Sequence, residues 1–97
     1  MDIIQKSFEE LSNFELYEII KLRIDIFVVE QNCPYPELDN KDQTCQHYFL
    51  KDEEVISSYI RVYEKNASQY GIGRIVTHKN YRGQGLAKML ILKAVDD

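Results

Sequence analysis

Ile75-Val76-Thr77-His78-Lys79-Asn80-Tyr81-Arg82-Gly83-Gln84-Gly85-Leu86-Ala87 is the stretch on which the reading of this chain turns. A strand runs into a loop, and the loop into two glycines that open a helix. From Gly85 onward Leu86, Met89, Leu90 and Ala94 recur at helical spacing. The first turn of a helix leaves N–H groups without intrahelical partners, and the helix dipole adds partial positive charge there. Glycines at 83 and 85 remove the Cβ atoms that would hold a phosphate away from those N–H groups. Arg82 and Lys88 add full positive charge beside them. These are the requirements of a pyrophosphate site.

The spacing excludes two familiar phosphate loops. A nucleotide P-loop reads GxxxxGK followed by Ser or Thr, which is absent. A dinucleotide fingerprint needs a third glycine at position 88, where Lys88 stands. The charge distribution converges on the same segment. The net charge is −4, but residues 1–64 carry −8, while residues 65–95 carry six bases and no acid. An acidic whole argues against broad nucleic-acid binding, and a basic third still attracts one compact polyanion. All four glycines (Gly71, Gly73, Gly83 and Gly85) lie in that third.

Upstream, Ser12 and Glu15 have capping-box spacing, and Leu11 and Leu16 sit where a hydrophobic staple would. Leu16, Ile20, Ile24 and Phe27 recur at helical spacing, so one helix is expected over residues 13–29. Residues 3–10 are expected to form an edge strand. Asn32 to Asp42 reads as a loop, with Pro34, Pro36 and Asn40. Its acids from Glu37 to Asp42 read either as solvated loop charges or as a field favouring a cationic amine. His47 to Leu50 and Val55 to Tyr63 read as a hairpin, with Ile56, Ile60 and Val62 on one face and Ser57, Tyr59, Arg61 and Tyr63 on the other. Tyr70 to His78 is a third strand of this run, and Gly71 and Gly73 within it suggest a bulge or a close backbone approach. The order is strand, helix, three strands, helix: an α/β domain of the α+β kind.

The length of 97 residues allows one domain, 1–97. Apolar runs such as Ile26 to Val29 are far short of the ~20 residues of a membrane span. Residues 1–6 lack the pattern of a secretory signal. Cys33 and Cys45 offer neither a disulfide framework nor a metal-ligand spacing, so a cytoplasmic protein without a metal is expected.

Arg82, Gly85 and Ala87, with Gly83 at a free position, resemble the R/QxxGxG/A pattern of the GNAT superfamily of N-acetyltransferases. Phe27-Val28-Val29-Glu30-Gln31-Asn32-Cys33-Pro34-Tyr35, followed by Asp39, Asp42 and His47, resembles the signature of the ElaA-like branch, as does Gly73-Arg74. The resemblance runs from about Leu16 to Leu92. It implies the N-terminal portion of the GNAT fold, with a mixed sheet, and acetyl-coenzyme A as cosubstrate. It further implies that Ile75, Val76 and Thr77 bond the pantetheine arm through their backbone. The N–H groups of Gly83, Gln84, Gly85, Leu86 and Ala87 would cradle the pyrophosphate, with Arg82 in contact and Lys88 adding charge. A backbone N–H of the same strand would polarise the acetyl carbonyl while an amine attacks directly.

Catalytic groups are not assigned by this resemblance. Glu30, at the end of the first helix, and His47 are the candidates for proton transfer; His78 is weighed beside them, and for each a surface or packing role is the alternative. The family fold continues after this helix with further strands, whereas the chain stops at Asp97. A truncation, a natural short form, and a homodimer completing its sheets through exposed edges are all open. The expected function is acetyl transfer to a primary amine of a small molecule or peptide. The alternative is a non-catalytic module that binds coenzyme A or a protein partner.

Overall fold

The structure, a computed structural model, describes residues 2–97. Strand β1 (Ile3–Ser7) leads to helix α1 (Asn13–Arg23), followed by β2 (Gln46–Asp52), β3 (Val55–Asn66), β4 (Gln69–Thr77) and helix α2 (Leu86–Asp96). This is the expected order. The strands form one sheet in the order β1-β2-β3-β4, and all three pairings are antiparallel. The mixed character expected of the sheet is therefore not found among these four strands. α1 packs on one face with Ile19 and Leu22 against Phe49, Ile56, Tyr59 and Val76. α2 packs on the other with Leu86 and Leu90 against Tyr48, Leu50 and Ile60.

The start of α1 follows from local chemistry. The Ser12 hydroxyl accepts from the Glu15 N–H at 3.0 Å, and the Glu15 carboxylate accepts from the Ser12 N–H at 2.9 Å. Lys6 donates to the same carboxylate at 2.9 Å, which ties β1 to the helix start. Burial alone would raise the Glu15 carboxyl, but the Ser12 N–H and Lys6 outweigh it and hold its pKa below the ordinary value.

The end of α1 departs from expectation. Regular α-helix stops at Arg23, and Ile24–Glu30 continues as a π-helix. The i→i−5 pattern persists at its exit, where Gln31 N–H bonds Ile26 carbonyl at 3.2 Å and Cys33 N–H bonds Val28 carbonyl at 3.0 Å. Ile24, Ile26, Val28 and Val29 are β-branched, which lowers the preference of this segment for a regular α-helix. One consequence is that Asp25 and Glu30 line a single cavity with Leu22, Ile26 and Val29.

Bulges reset the register of the sheet at several places. In the β2–β3 ladder Leu50 pairs with Ser58 but Lys51 pairs with Ile56, so Ser57 is extra. Ile56 thereby turns to the α1 face with Tyr59, while Ile60 and Val62 face α2. The simple alternation that grouped Ile56 with Ile60 and Val62 breaks at this bulge. In the β3–β4 ladder Tyr59 pairs with Val76 and Arg61 with Gly73, which leaves Arg74 and Ile75 opposite Ile60.

Gly71 in β4 answers to a protein side chain. Gly71 pairs directly with Tyr63, and a Cβ on Gly71 would lie 2.3 Å from the Tyr63 ring. The ring lies across the glycine, and a Cβ on Gly73 would meet it at 3.7 Å. Gly71→Ala should displace the ring and cost about 1–3 kcal/mol. Thermal melts of Gly71→Ala in the native and Tyr63→Ala backgrounds check this. The loss should vanish where Tyr63 is gone, and an equal loss in both backgrounds would exclude the ring as its cause.

Candidate functional site

After Thr77 the chain makes a short 3₁₀ turn, Lys79–Tyr81. His78 organises it. The His78 ring Nδ1 accepts from the Asn80 N–H at 3.1 Å, and its carbonyl accepts from the Tyr81 N–H at 2.8 Å. The His78 N–H donates to Ser57 carbonyl at 2.8 Å, which fixes the turn to the β3 bulge. Tyr81 packs against the α2 face of the core, and its hydroxyl donates to Asp52 at 2.8 Å.

Gly83 and Gly85 then take φ values of +84° and +71°, a region that disfavours L side chains. A Cβ on either would meet nothing within 4 Å. Gly85 is the N-cap of α2, and no side chain caps that end. The first intrahelical bond runs from Met89 N–H to Gly85 carbonyl at 3.1 Å, so the N–H groups of Leu86, Ala87 and Lys88 precede the ladder. Thr77, Arg82, Gly83 and Gly85 line a hollow of about 220 Å³ with Tyr81 and Leu86 to Lys88. Ile75 and Val76 lie farther back on β4. Val76 is buried, and Ile75 is exposed on the edge strand. Gln84 is exposed in the loop.

Arg82 is held by two groups next to this hollow. Its Nη2 donates to Glu30 at 2.8 Å, and its Nε to Thr77 carbonyl at 3.3 Å. The hydrogen bond from Arg82 holds the Glu30 carboxyl below its usual pKa, against slight desolvation and with help from Lys79. Glu30 is therefore an ionised partner of the phosphate-loop arginine. It also faces the cavity of about 350 Å³ between the π-helix and His78-Lys79.

His47 lies elsewhere, at 1% exposure under the α1 face. Its Nε2 stands 2.9 Å from Asp42 carbonyl and its Nδ1 2.6 Å from Tyr59 hydroxyl. A carbonyl only accepts, so Nε2 carries the proton and Nδ1 accepts from Tyr59. Burial lowers the His47 pKa, although Asp42 works against it. Both ring nitrogens are engaged inside the protein.

Around His47 stands a charged cluster. Arg23, 1% exposed, donates from Nε to Glu37 and from Nη1 to Asp42, each at 2.9 Å. Arg61 donates to Asp42 at 2.9 Å and pairs with Asp39 through both terminal nitrogens. Arg74, at φ +52°, donates from Nε to Glu37 at 2.6 Å and from Nη2 to Glu37 carbonyl at 3.0 Å. Arg61 holds the Asp39 carboxyl far below its usual pKa despite some desolvation. Burial pushes the Tyr59 phenol well up, against the nearby Arg23. Asp39, Arg61, Tyr63, Gly73 and Arg74 line a third cavity of about 240 Å³ with Lys41 and Cys45.

The chain matches the Acetyltransferase (GNAT) family over residues 14–97. It belongs to that family. A UPF0039 protein of Mycobacterium tuberculosis is 40% identical over 94 residues, covering 90% of this chain and 60% of that protein. Protein ElaA of Escherichia coli is 33% identical over 92 residues, with 90% and 60% coverage. An acyl-CoA N-acyltransferase from Pseudomonas aeruginosa superposes with a TM-score of 0.91 at 34% identity, over 98% of this chain and 68% of that one. The crystal structure of Escherichia coli ElaA superposes with a TM-score of 0.91 at 30% identity, over 99% and 67%. This GNAT chain thus spans about three-fifths of the length of these curated relatives. No helix among the described residues is long and apolar enough to cross a membrane.

The charged cluster of this GNAT chain was not found by motif reading. The acids from Glu37 to Asp42 read as loop charges, yet Glu37 is 3% and Asp42 6% exposed. The signal lay in their partners. Arg23 interrupts the apolar stripe between Leu22 and Ile24, and Arg61 stands between Ile60 and Val62 in a strand. A guanidinium in such a position needs buried acceptors.

Proposed function

We propose that this GNAT chain binds acetyl-coenzyme A and serves acetyl transfer to a primary amine of a small molecule or peptide. The observation that carries the reading is the uncapped start of α2 behind two left-handed glycines whose Cβ positions face open space. The residues fit the cosubstrate. The N–H groups of Leu86, Ala87 and Lys88 hold the pyrophosphate, and Lys88 adds charge. Arg82 turns from Glu30 to the phosphate, an exchange between two charged acceptors at an exposed position. The outer edge of β4 at Ile75, Val76 and Thr77 offers backbone bonds to the pantetheine arm, as an added strand would. Acetyl-coenzyme A supplies an activated acyl group, and the amine displaces its thiol by direct attack. A β4 N–H polarises the acyl carbonyl as charge builds on its oxygen. Glu30 and His47 remain the proton-transfer candidates by residue type. Glu30 faces a cavity, whereas His47 is 1% exposed.

A titration followed by amide NMR tests the cosubstrate. With acetyl-coenzyme A, residues 75–77 and 82–88 should shift together. Silence of both segments at millimolar ligand would remove acetyl-coenzyme A from the reading.

One observation favours a second reading, a non-catalytic module that binds coenzyme A or a protein partner. β4 is an edge strand, and Ile75, Met89, Leu92 and Val95 are exposed. In that reading two copies pair through their β4 edges into a homodimer. Thiol release on an amine panel separates the two readings. Free thiols at Cys33 and Cys45 support a cytoplasmic location.

A further inference from the structure

We propose that Glu37 and Arg74 form a positioning pair, which holds the β4 bulge so that a backbone N–H meets the thioester carbonyl. The inference rests on the acetyl-coenzyme A reading and names the groups that prepare the reacting end of that site.

Arg74 sits at φ +52°, where a non-glycine residue is disfavoured. Glycine would occupy that conformation freely, and the chain has one next door at Gly73, which does not take a positive φ. The conformation alone therefore does not explain arginine at position 74. Its side chain does. Nε donates to Glu37 Oε2 at 2.6 Å, and Nη2 donates to Glu37 carbonyl at 3.0 Å and to Asp39 at 3.3 Å. These contacts fasten the bulge to the loop after the π-helix.

Glu37 is itself immobilised. Arg23 donates to its Oε2 at 2.9 Å, and the Tyr35 hydroxyl donates to its Oε1 at 2.7 Å. Arg23 belongs to α1, so the pair connects the first helix, the acidic loop and the bulge through one carboxylate. The bulge is thereby fixed relative to the core.

The location gives this device a use. A bulge re-aims backbone groups, because the extra residue shifts the alternation of inward and outward N–H groups. Here the shift falls at Arg74 and Ile75, on the free edge of β4. From Thr77, beside the phosphate hollow, to Arg74 the strand covers about 10 Å. A pantetheine arm held at the loop and running back along this edge carries its thioester toward the bulge. An N–H aimed at that carbonyl must be preorganised, since small errors in its position cost much of its effect.

Isotope-edited infrared spectroscopy of bound [1-13C]acetyl-coenzyme A reads this contact. In the wild-type chain the carbonyl stretch should fall relative to free cosubstrate. In Arg74→Gly, which keeps the conformational freedom and loses the anchor, the fall should disappear while the amide shifts of residues 82–88 persist. Glu37→Gln should act in the same direction. Should Arg74→Gly lose its dispersed spectrum, Arg74→Lys keeps the charge without the paired contacts and makes the same comparison. A full downshift in the folded variants would overturn the positioning role. A loop that responds in wild type with no carbonyl shift would overturn it too, leaving acetyl-coenzyme A binding intact. No loop response in wild type would overturn both.

Discussion

Exchanging Arg23 for methionine should destabilise this chain by about 3–5 kcal/mol, the usual cost of removing one partner from a buried ion pair. The cluster holds three arginines (Arg23, Arg61 and Arg74) against three carboxylates (Glu37, Asp39 and Asp42). Methionine keeps most of the volume, so the loss is electrostatic rather than a cavity. Without Arg23, Glu37 retains Arg74 and Asp42 retains Arg61, but one negative charge stays buried without compensation. A chain of 97 residues has about 5–15 kcal/mol in total. The midpoint of a thermal melt should therefore fall by about 12–40 °C, at about 4–8 °C per kcal/mol. Adding Asp42→Asn to the same chain restores neutrality and should recover part of the loss. A drop below about 1 kcal/mol would mean that the cluster is hydrated and behaves as a surface network.

That cluster marks the limit of what could be read from the chain. The capping box was legible because Ser12 and Glu15 are three residues apart and satisfy one another locally. The phosphate loop was legible for the same reason, since the glycines and the start of α2 are neighbours in sequence. Arg23 and Glu37 are separated by 14 residues, and Arg74 and Glu37 by 37. Nothing local indicates that they meet. The π-helix was missed because Ile24, Ile26, Phe27 and Val29 satisfy a 3.6-residue period about as well as a wider one. The Ser57 bulge escaped because an extra residue changes the face of Ile56 without changing its composition. The β4 glycines were recognised as unusual, but the ring that explains Gly71 comes from Tyr63 on the neighbouring strand.

Gly85→Glu should remove acetyl-coenzyme A binding while leaving the fold in place, and it separates the two kinds of glycine in this chain. Gly71 accommodates a protein ring, whereas Gly85 faces space that the protein does not use. A side chain at Gly85 pays for its φ of +71° with about 1–2 kcal/mol. It meets no neighbour within 4 Å, so no packing is lost. The melting curve should therefore shift by only a few degrees. The ligand meets a different situation. The new side chain projects beside the N–H groups of Leu86, Ala87 and Lys88, and its carboxylate opposes a pyrophosphate in the same hollow. One unit charge about 4 Å from another near a protein surface is worth about 4 kcal/mol. Affinity should fall by more than about a hundredfold, since each 1.4 kcal/mol is tenfold. Gly85→Ala, with the same backbone strain and no charge, should fall between wild type and Gly85→Glu. Calorimetric titration of the three chains checks the order, with melting curves as the control. Equal affinity in all three would place the pyrophosphate away from the start of α2. A parallel loss of affinity and fold in Gly85→Glu would show instead that the left-handed turn serves the core, as Gly71 does.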